Sequence, residues 1–151
     1  KVLSMEIAVL ALGCFWGPEK KFSQINGILK TEVGYCGGHN STTTYKEVCS
    51  GNSGHAEVVK LEYDPSIISY NEIIETFFKI HDPTTLNSQG PDFGTQYRSE
   101  IFYHNEEQKK IAKEVLNHID KKLNGKVVTK ISEIKNYCKA EEYHQNYLEK
   151  N

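Results

Sequence analysis

The run Ile7-Ala8-Val9-Leu10-Ala11-Leu12 is apolar at every position. A strand with one wet face alternates polar and apolar side chains, so an unbroken apolar run belongs to a strand buried on both faces. That segment calls for a central strand with cover above and below it, and hence for a layered fold of sheet and helices. At this length it cannot cross a bilayer, which takes about 20 apolar residues. It also lacks the long apolar segment and cationic flank of a signal peptide.

The rest of the chain supplies the partners of that strand. The run stops at Gly13; Pro18 stands at a first helical position, and Glu19 to Ile25 reads as a helix closed by Asn26-Gly27. Leu29 to Tyr35 alternates as a strand running into the turn Gly37-Gly38, and Thr44 to Val48 reads as a helical turn. His55 to Tyr63 alternates again and stops at Asp64-Pro65. Ser69 to His81 has the amphipathic period of a helix, with Ser69 and Glu72 spaced as a capping box. Thr84 to Gly94 is a long polar loop bearing Gly and Pro, of the kind that carries function. Tyr97 to Tyr103 and Val127 to Ile131 read as strands, Asn105 to Leu123 as a long helix and Glu141 to Glu149 as a closing helix.

The order β-α-β-β-α-β-α predicts an α+β fold. The expected form is a two-layer α/β sandwich with a mainly antiparallel sheet of ferredoxin-like plait topology and right-handed crossovers. No internal repeat, low-complexity tract or linker interrupts the 151 residues, so 1–151 reads as a single domain. The formal charge of −2 leaves no basic footprint for nucleic acid. Cys14, Cys36, Cys49 and Cys138 show no C-x-x-C spacing, which argues against a zinc knuckle or a dense disulfide framework. A cytoplasmic chain with one or two working thiols fits that pattern.

Gly13-Cys14-Phe15-Trp16-Gly17 lies between the apolar strand and the first helix. Free N–H groups and the positive end of the helix dipole favour a thiolate there, and glycines permit a tight turn and close approach of a substrate. Phe15 and Trp16 are placed to wall an apolar slot beside the sulfur. The same turn also reads as an inert buried cysteine between two core aromatics, and position alone leaves both open.

The sequence resembles the methionine sulfoxide reductase A family. After Gly13-Cys14-Phe15-Trp16-Gly17 the likeness runs through Val33-Gly34-Tyr35 and Gly37-Gly38, then Tyr45-Lys46-Glu47-Val48-Cys49-Ser50-Gly51 and Gly54-His55-Ala56-Glu57. It continues in His81-Asp82-Pro83-Thr84, Gly94-Thr95-Gln96-Tyr97-Arg98-Ser99 and Ala140-Glu141-Glu142-Tyr143-His144-Gln145, in the family's order and over nearly the whole chain.

The resemblance implies reduction of methionine S-sulfoxide, free or in proteins, through attack by Cys14 and a sulfenic acid on that residue. It implies Glu57 as proton donor, which requires a buried carboxyl held neutral beside Cys14. Tyr45 and Tyr97 match residues that hydrogen-bond the sulfoxide oxygen. Asp92 matches one that lines the site through a water, though it reads equally as a turn cap. Gly13, Phe15 and Trp16 are expected to form the substrate pocket, with His144 and Glu141 supporting it. His55 is expected to point away from Glu57 by strand alternation. No metal or organic cofactor is implied; thioredoxin, glutaredoxin or glutathione would return Cys14 to the thiol.

Many family members carry a further cysteine in a glycine-rich C-terminal tail, and this sequence stops at Glu149-Lys150-Asn151, where that tail would begin, so either the tail follows these residues or the protein lacks that resolver. Within these residues two routes stay open. Either an external thiol attacks the Cys14 sulfenic acid directly, or Cys138 or Cys36 resolves it, which needs Cα atoms within roughly 7 Å. Cys49 is expected to pack inside. A competing reading makes the chain a cysteine hydrolase or acyltransferase with Cys14 paired to His144, which requires a base within hydrogen-bond reach of the sulfur. A third, a small binding module, would leave Cys14 dispensable.

Overall fold

In the computed structural model the apolar run forms β1 (Glu6–Leu12), and its last five residues are buried. The description covers residues 5–151; residues 1–4 of the expected domain lie outside it. The chain continues through α1 (Trp16–Ser23), β2 (Ile28–Cys36), α2 (Tyr45–Cys49), β3 (Ala56–Tyr63) and α3 (Tyr70–Lys79). There follow β4 (Ser88–Gln89), β5 (Asp92–Phe93), β6 (Ser99–Tyr103), α4 (Glu106–Lys122), β7 (Lys130–Glu133), β8 (Cys138–Lys139) and α5 (Tyr147–Lys150). Single 3-10 turns span Thr95–Tyr97 and Glu142–His144.

The main sheet has the order β7-β6-β1-β3-β2-β8. Every neighbouring pair is antiparallel except β6 and β7, so the architecture is α+β with a mainly antiparallel sheet. β1 lies inside the sheet, as its all-apolar run requires. Ala8, Leu10 and Leu12 face Phe22 of α1, Ile73, Ile74 and Phe77 of α3, and Ala112 and Val115 of α4. Val9 and Ala11 face the other way, into a smaller cluster with Cys36, Ala56, Val58 and Phe102, over which Ile134 and Tyr137 pack. The helices therefore share one face, and the strap after β7 covers part of the other.

The α3 boundary follows its capping box. Ser69 Oγ accepts from the Glu72 amide and Glu72 Oε1 accepts from the Ser69 amide, each at 3.0 Å. Ser69→Ala leaves a first-turn amide without that partner and is expected to lower stability by about 1 kcal/mol, read as a shift in the urea midpoint at unchanged slope.

Several elements depart from the sequence expectations, each for a local reason. α1 begins at Trp16, so Pro18 is its third residue; its missing N–H is still one that the first turn leaves unpaired. The strand expected at Val127 starts at Lys130, because Asp120 Oδ1 and the Pro83 carbonyl take the amides of Val127 and Val128. The Thr84–Gly94 loop contains the small hairpin β4–β5. The closing helix is broken: Asn146 is left-handed at φ 52°, and its amide donates to Glu19 Oε1 at 2.8 Å. The Gln145 side chain meanwhile bonds Val33 on both main-chain groups and the Ala140 carbonyl, tying the segment to β2. That strap also supplies β8, which its short sequence did not announce. No helix among the described residues is long and apolar enough to cross a membrane.

Candidate active site

Antiparallel pairing of β1 with β3, with Leu10 opposite Val59, sets the end of β1 beside the start of β3. Pairing of β1 with β6, with Leu12 opposite Ser99, brings Tyr97 to the same end. Glycine is needed at the turn between β1 and α1. Gly13 has φ +96°, and a Cβ there would lie 2.8 Å from the Cβ and Cγ of Gln89. Gln89 is itself held by Asp82, accepting from its amide and donating to its carbonyl, each at 2.9 Å. This contact seats the hairpin that carries Asp92.

Glu57 is the central feature. It is 1% exposed, and its Oε1 accepts from the Phe15 amide, 42 residues distant in sequence, at 3.1 Å. Burial pushes its carboxyl up to about 8, with the Phe15 amide opposing and Asp92 adding to the shift. At neutral pH this is a carboxylic acid rather than a carboxylate.

Cys14 is half-buried in the turn. The sequence led to the expectation of an ionised sulfur; the structure overturns it. Burial pushes the thiol up to about 11, the Trp16 amide pulls it down, and Glu57 and Asp92 raise it further. The reason is register: Phe15 is the N-cap and α1 starts at Trp16, so Cys14 stands just outside the first turn and gains only one amide.

Tyr97 is half-buried; desolvation first, then the charge of Glu57, brings its hydroxyl up to about 12, with smaller effects from Cys49, Asp92 and Cys14. Burial followed by Cys49 holds the Tyr45 hydroxyl above its ordinary range, and Glu57 and Tyr97 add to it. Tyr45 is the first residue of α2, and its amide donates to Glu141 Oε2 at 2.8 Å while the Tyr35 hydroxyl donates to Glu141 Oε1 at the same distance. Glu141 therefore sets the start of α2.

The aromatic residues form a stack rather than two walls of a slot. Phe15 is buried with Val33, Tyr35, Val48 and Ala140, with Trp16 and Tyr45 against this cluster. Trp16 lies flat on Tyr147 at 3.8 Å between ring centroids and donates from its indole to His144 Nδ1 at 3.1 Å. The buried His144 ring touches Phe15, Trp16, Tyr45 and Tyr143. Its Nδ1 is taken by Trp16, and Nε2 has no partner among the described residues. Neither nitrogen is bonded to Cys14, so the base that a Cys14–His144 hydrolase needs is not at the sulfur. His55 is buried away from Glu57, accepting from the Gly38 amide through Nδ1 and reaching the Asn40 carbonyl through Nε2.

The remaining cysteines separate clearly. Cys36 is buried in the cluster on the sheet face opposite the helices, while its neighbour Tyr35 points to the Phe15 side. Cys138 on β8 is opposite Tyr35, with its sulfur 3.9 Å from the Thr43 carbonyl. Cys49, expected inside, is exposed at the end of α2. Val48 fills the inward position of this short helix, and Cys49 is its last residue, left in solvent at the end. Glu19 escaped sequence reading altogether. As a glutamate on a helix it reads as a surface charge, yet it is 1% exposed and accepts from Thr31 and Asn146.

A half-buried thiol set against a protonated carboxylic acid, with phenols around them and no histidine at the sulfur, is the equipment of a thiol-dependent enzyme that hands a proton to an oxygen. The chain belongs to the peptide methionine sulfoxide reductase family, whose model matches residues 6–151. A peptide methionine sulfoxide reductase MsrA from Pelagibacter ubique is 70% identical over 146 residues, covering 97% of this chain and 99% of that one. Its counterpart from Saccharolobus solfataricus is 51% identical over 146 residues, covering 97% and 82%. Among solved structures, reduced Mxr1 from Saccharomyces cerevisiae superposes with a TM-score of 0.94 at 43% identity, covering 97% of this chain and 86% of that one. Mxr1 in complex with Trx2 aligns with a TM-score of 0.68 at 29% identity over 95% and 84%.

Proposed function

We propose that this chain reduces methionine S-sulfoxide, free and within proteins, to methionine. The observation that carries the reading is the buried neutral Glu57 bonded to the residue after Cys14. A sulfoxide oxygen is a poor leaving group until it is protonated, and a carboxyl that titrates near 8 still holds its proton at neutral pH.

In this reading Glu57 gives its proton to the sulfoxide oxygen while Tyr45 and Tyr97 donate hydrogen bonds to it. The Cys14 sulfur attacks the substrate sulfur, and the thiol proton passes to the Glu57 carboxylate. Collapse of the adduct moves one oxygen to Cys14 and frees methionine. The methionine sulfur gains two electrons and Cys14, now a sulfenic acid, loses two. Asp92 adjusts the charge at Glu57 from the β4–β5 hairpin, Gly13 admits the close approach of Gln89, and Phe15, Trp16 and His144 form the aromatic floor for the methyl group. A thiol reductant of the thioredoxin, glutaredoxin or glutathione type restores Cys14. Support for thioredoxin comes from the likeness to Mxr1, solved in complex with Trx2.

We also read residues 1–151 as one catalytic domain, on the ground that β1, β2, β3, β6, β7 and β8, drawn from both ends of the chain, share a single sheet. The inner order β6-β1-β3-β2 with all neighbours antiparallel supports a ferredoxin-like plait. Free thiols at all four cysteines support a cytoplasmic setting.

The test is stoichiometric. Reduced protein mixed with the S epimer and no added reductant should form one equivalent of methionine, and none from the R epimer. Absence of methionine, or equal use of both epimers, would reject the reading.

A further inference from the structure

We propose that Cys49 is the second redox thiol of this site, forming a disulfide with Cys14 once Cys14 is a sulfenic acid; the proposal rests on the reductase reading above. Tyr45 and Cys49 lie one turn apart on the same side of α2. The Tyr45 ring is 4.4 Å from His144, whose ring is 5.2 Å from Phe15, the residue that follows Cys14. Val48, beside Cys49, packs in one cluster with Phe15. The end of α2 is thus seated against the residue that follows Cys14, and a charge on Cys49 bears chiefly on Tyr45, with a smaller effect on Tyr97 and the smallest on Cys14.

The other two thiols are worse placed. Cys36 is sealed on the opposite face of the sheet, its sulfur bonded to the Lys135 carbonyl at 3.4 Å. Cys138 is on β8, two strands beyond β3, which at about 4.8 Å per strand is about 10 Å from the Glu57 position. Cys49 is the exposed one of the four, open to a reductant arriving from solvent. α2 is followed at once by Ser50 and Gly51, and Gly51, at φ +82°, has nothing within 4 Å of where a Cβ would be. A small shift of the C-terminal end of α2 toward Cys14 is absorbed there.

The step balances. The Cys49 sulfur attacks the Cys14 sulfur, the sulfur–sulfur bond forms, and the sulfur–oxygen bond of the sulfenic acid breaks. The hydroxide leaves as water with the proton released by Cys49. Cys49 is oxidised by the electron pair the oxygen carries away, and a dithiol reductant later reopens the bond by exchange.

The experiment uses the full chain, reduced, with one equivalent of the S-sulfoxide and dimedone present and no reductant. Methionine is measured, and the protein is then mapped by mass spectrometry without reduction. The expected result is one methionine together with a peptide linking Cys14 to Cys49. Methionine formed while Cys14 carries dimedone, or is joined to Cys138 or Cys36, overturns the proposal. A parallel arm oxidises Cys14 with hydrogen peroxide, so the pairing is read even if no methionine appears, an outcome that would count against the reductase reading instead. Cys49→Ser should lose the link and gain the dimedone adduct on Cys14; Cys138→Ser should keep the link, and its loss there would also overturn the proposal.

Discussion

Cys14→Ser abolishes methionine formation in the stoichiometric assay, leaving only the uncatalysed background. The serine oxygen fits the same turn, accepts the same Trp16 amide and leaves the Glu57 contact with Phe15 intact, so the variant folds and the loss is chemical. Oxygen cannot take the place of sulfur here, because the product would be a peroxide rather than a sulfenic acid. The resting state of Cys14 can be checked on the same preparations. With the thiol pushed up to about 11 by burial, alkylation by iodoacetamide in the absence of substrate should climb steadily with pH toward that value. A plateau below pH 9 would show an ionised resting sulfur and contradict the geometry of the turn. Measurable methionine from Cys14→Ser would remove Cys14 from the reaction.

The second large effect belongs to Glu57. Glu57→Ala should lower the single-turnover rate by about 10²–10⁴-fold, the range for loss of a positioned general acid. Glu57→Gln should fall between, since an amide still donates a hydrogen bond to the sulfoxide oxygen but does not surrender a proton. The pH profile separates this role from a structural one. Because the acid form is the active one and titrates near 8, the wild-type rate should fall as pH rises through about 8, and Glu57→Gln should lack that limb. Stability moves in a related way. The folded protein holds a proton on Glu57 that the unfolded chain gives up near 4.5, so the share of stability due to Glu57 is lost as pH rises from about 4.5 through about 8. In urea titrations the stability of wild type relative to Glu57→Gln should therefore fall across that window, the buried histidines His55, His81 and His144 contributing alike to both. A wild-type rate that does not change between pH 6 and pH 9 would show that Glu57 donates no proton.

The elements most legible before any coordinates were those with a strong local signal. β1 was written in an all-apolar run, and α3 in its capping box and apolar period. The candidate site was legible as an ordered set of motifs, from Cys14 to Tyr97 and His144, but their meeting was not. Glu57 reads as a surface charge in an alternating strand; only antiparallel pairing of β1 with β3 carries it under the Phe15 amide and strips it of water. Glu19 is the same case on a helix, buried because the chain returns at Asn146 to give it an amide.

Local sequence thus specified where strands and helices begin, which residue types are available for redox chemistry, and the order in which they occur. Proton positions and the standing of each thiol came from the assembled fold. Desolvation and nearby charge depend on distances between segments far apart in the chain, and these set Glu57 neutral, kept Cys14 a thiol, sealed Cys36 behind the sheet and left Cys49 in solvent. No window of neighbouring residues contains those distances, so no local pattern could have foretold them.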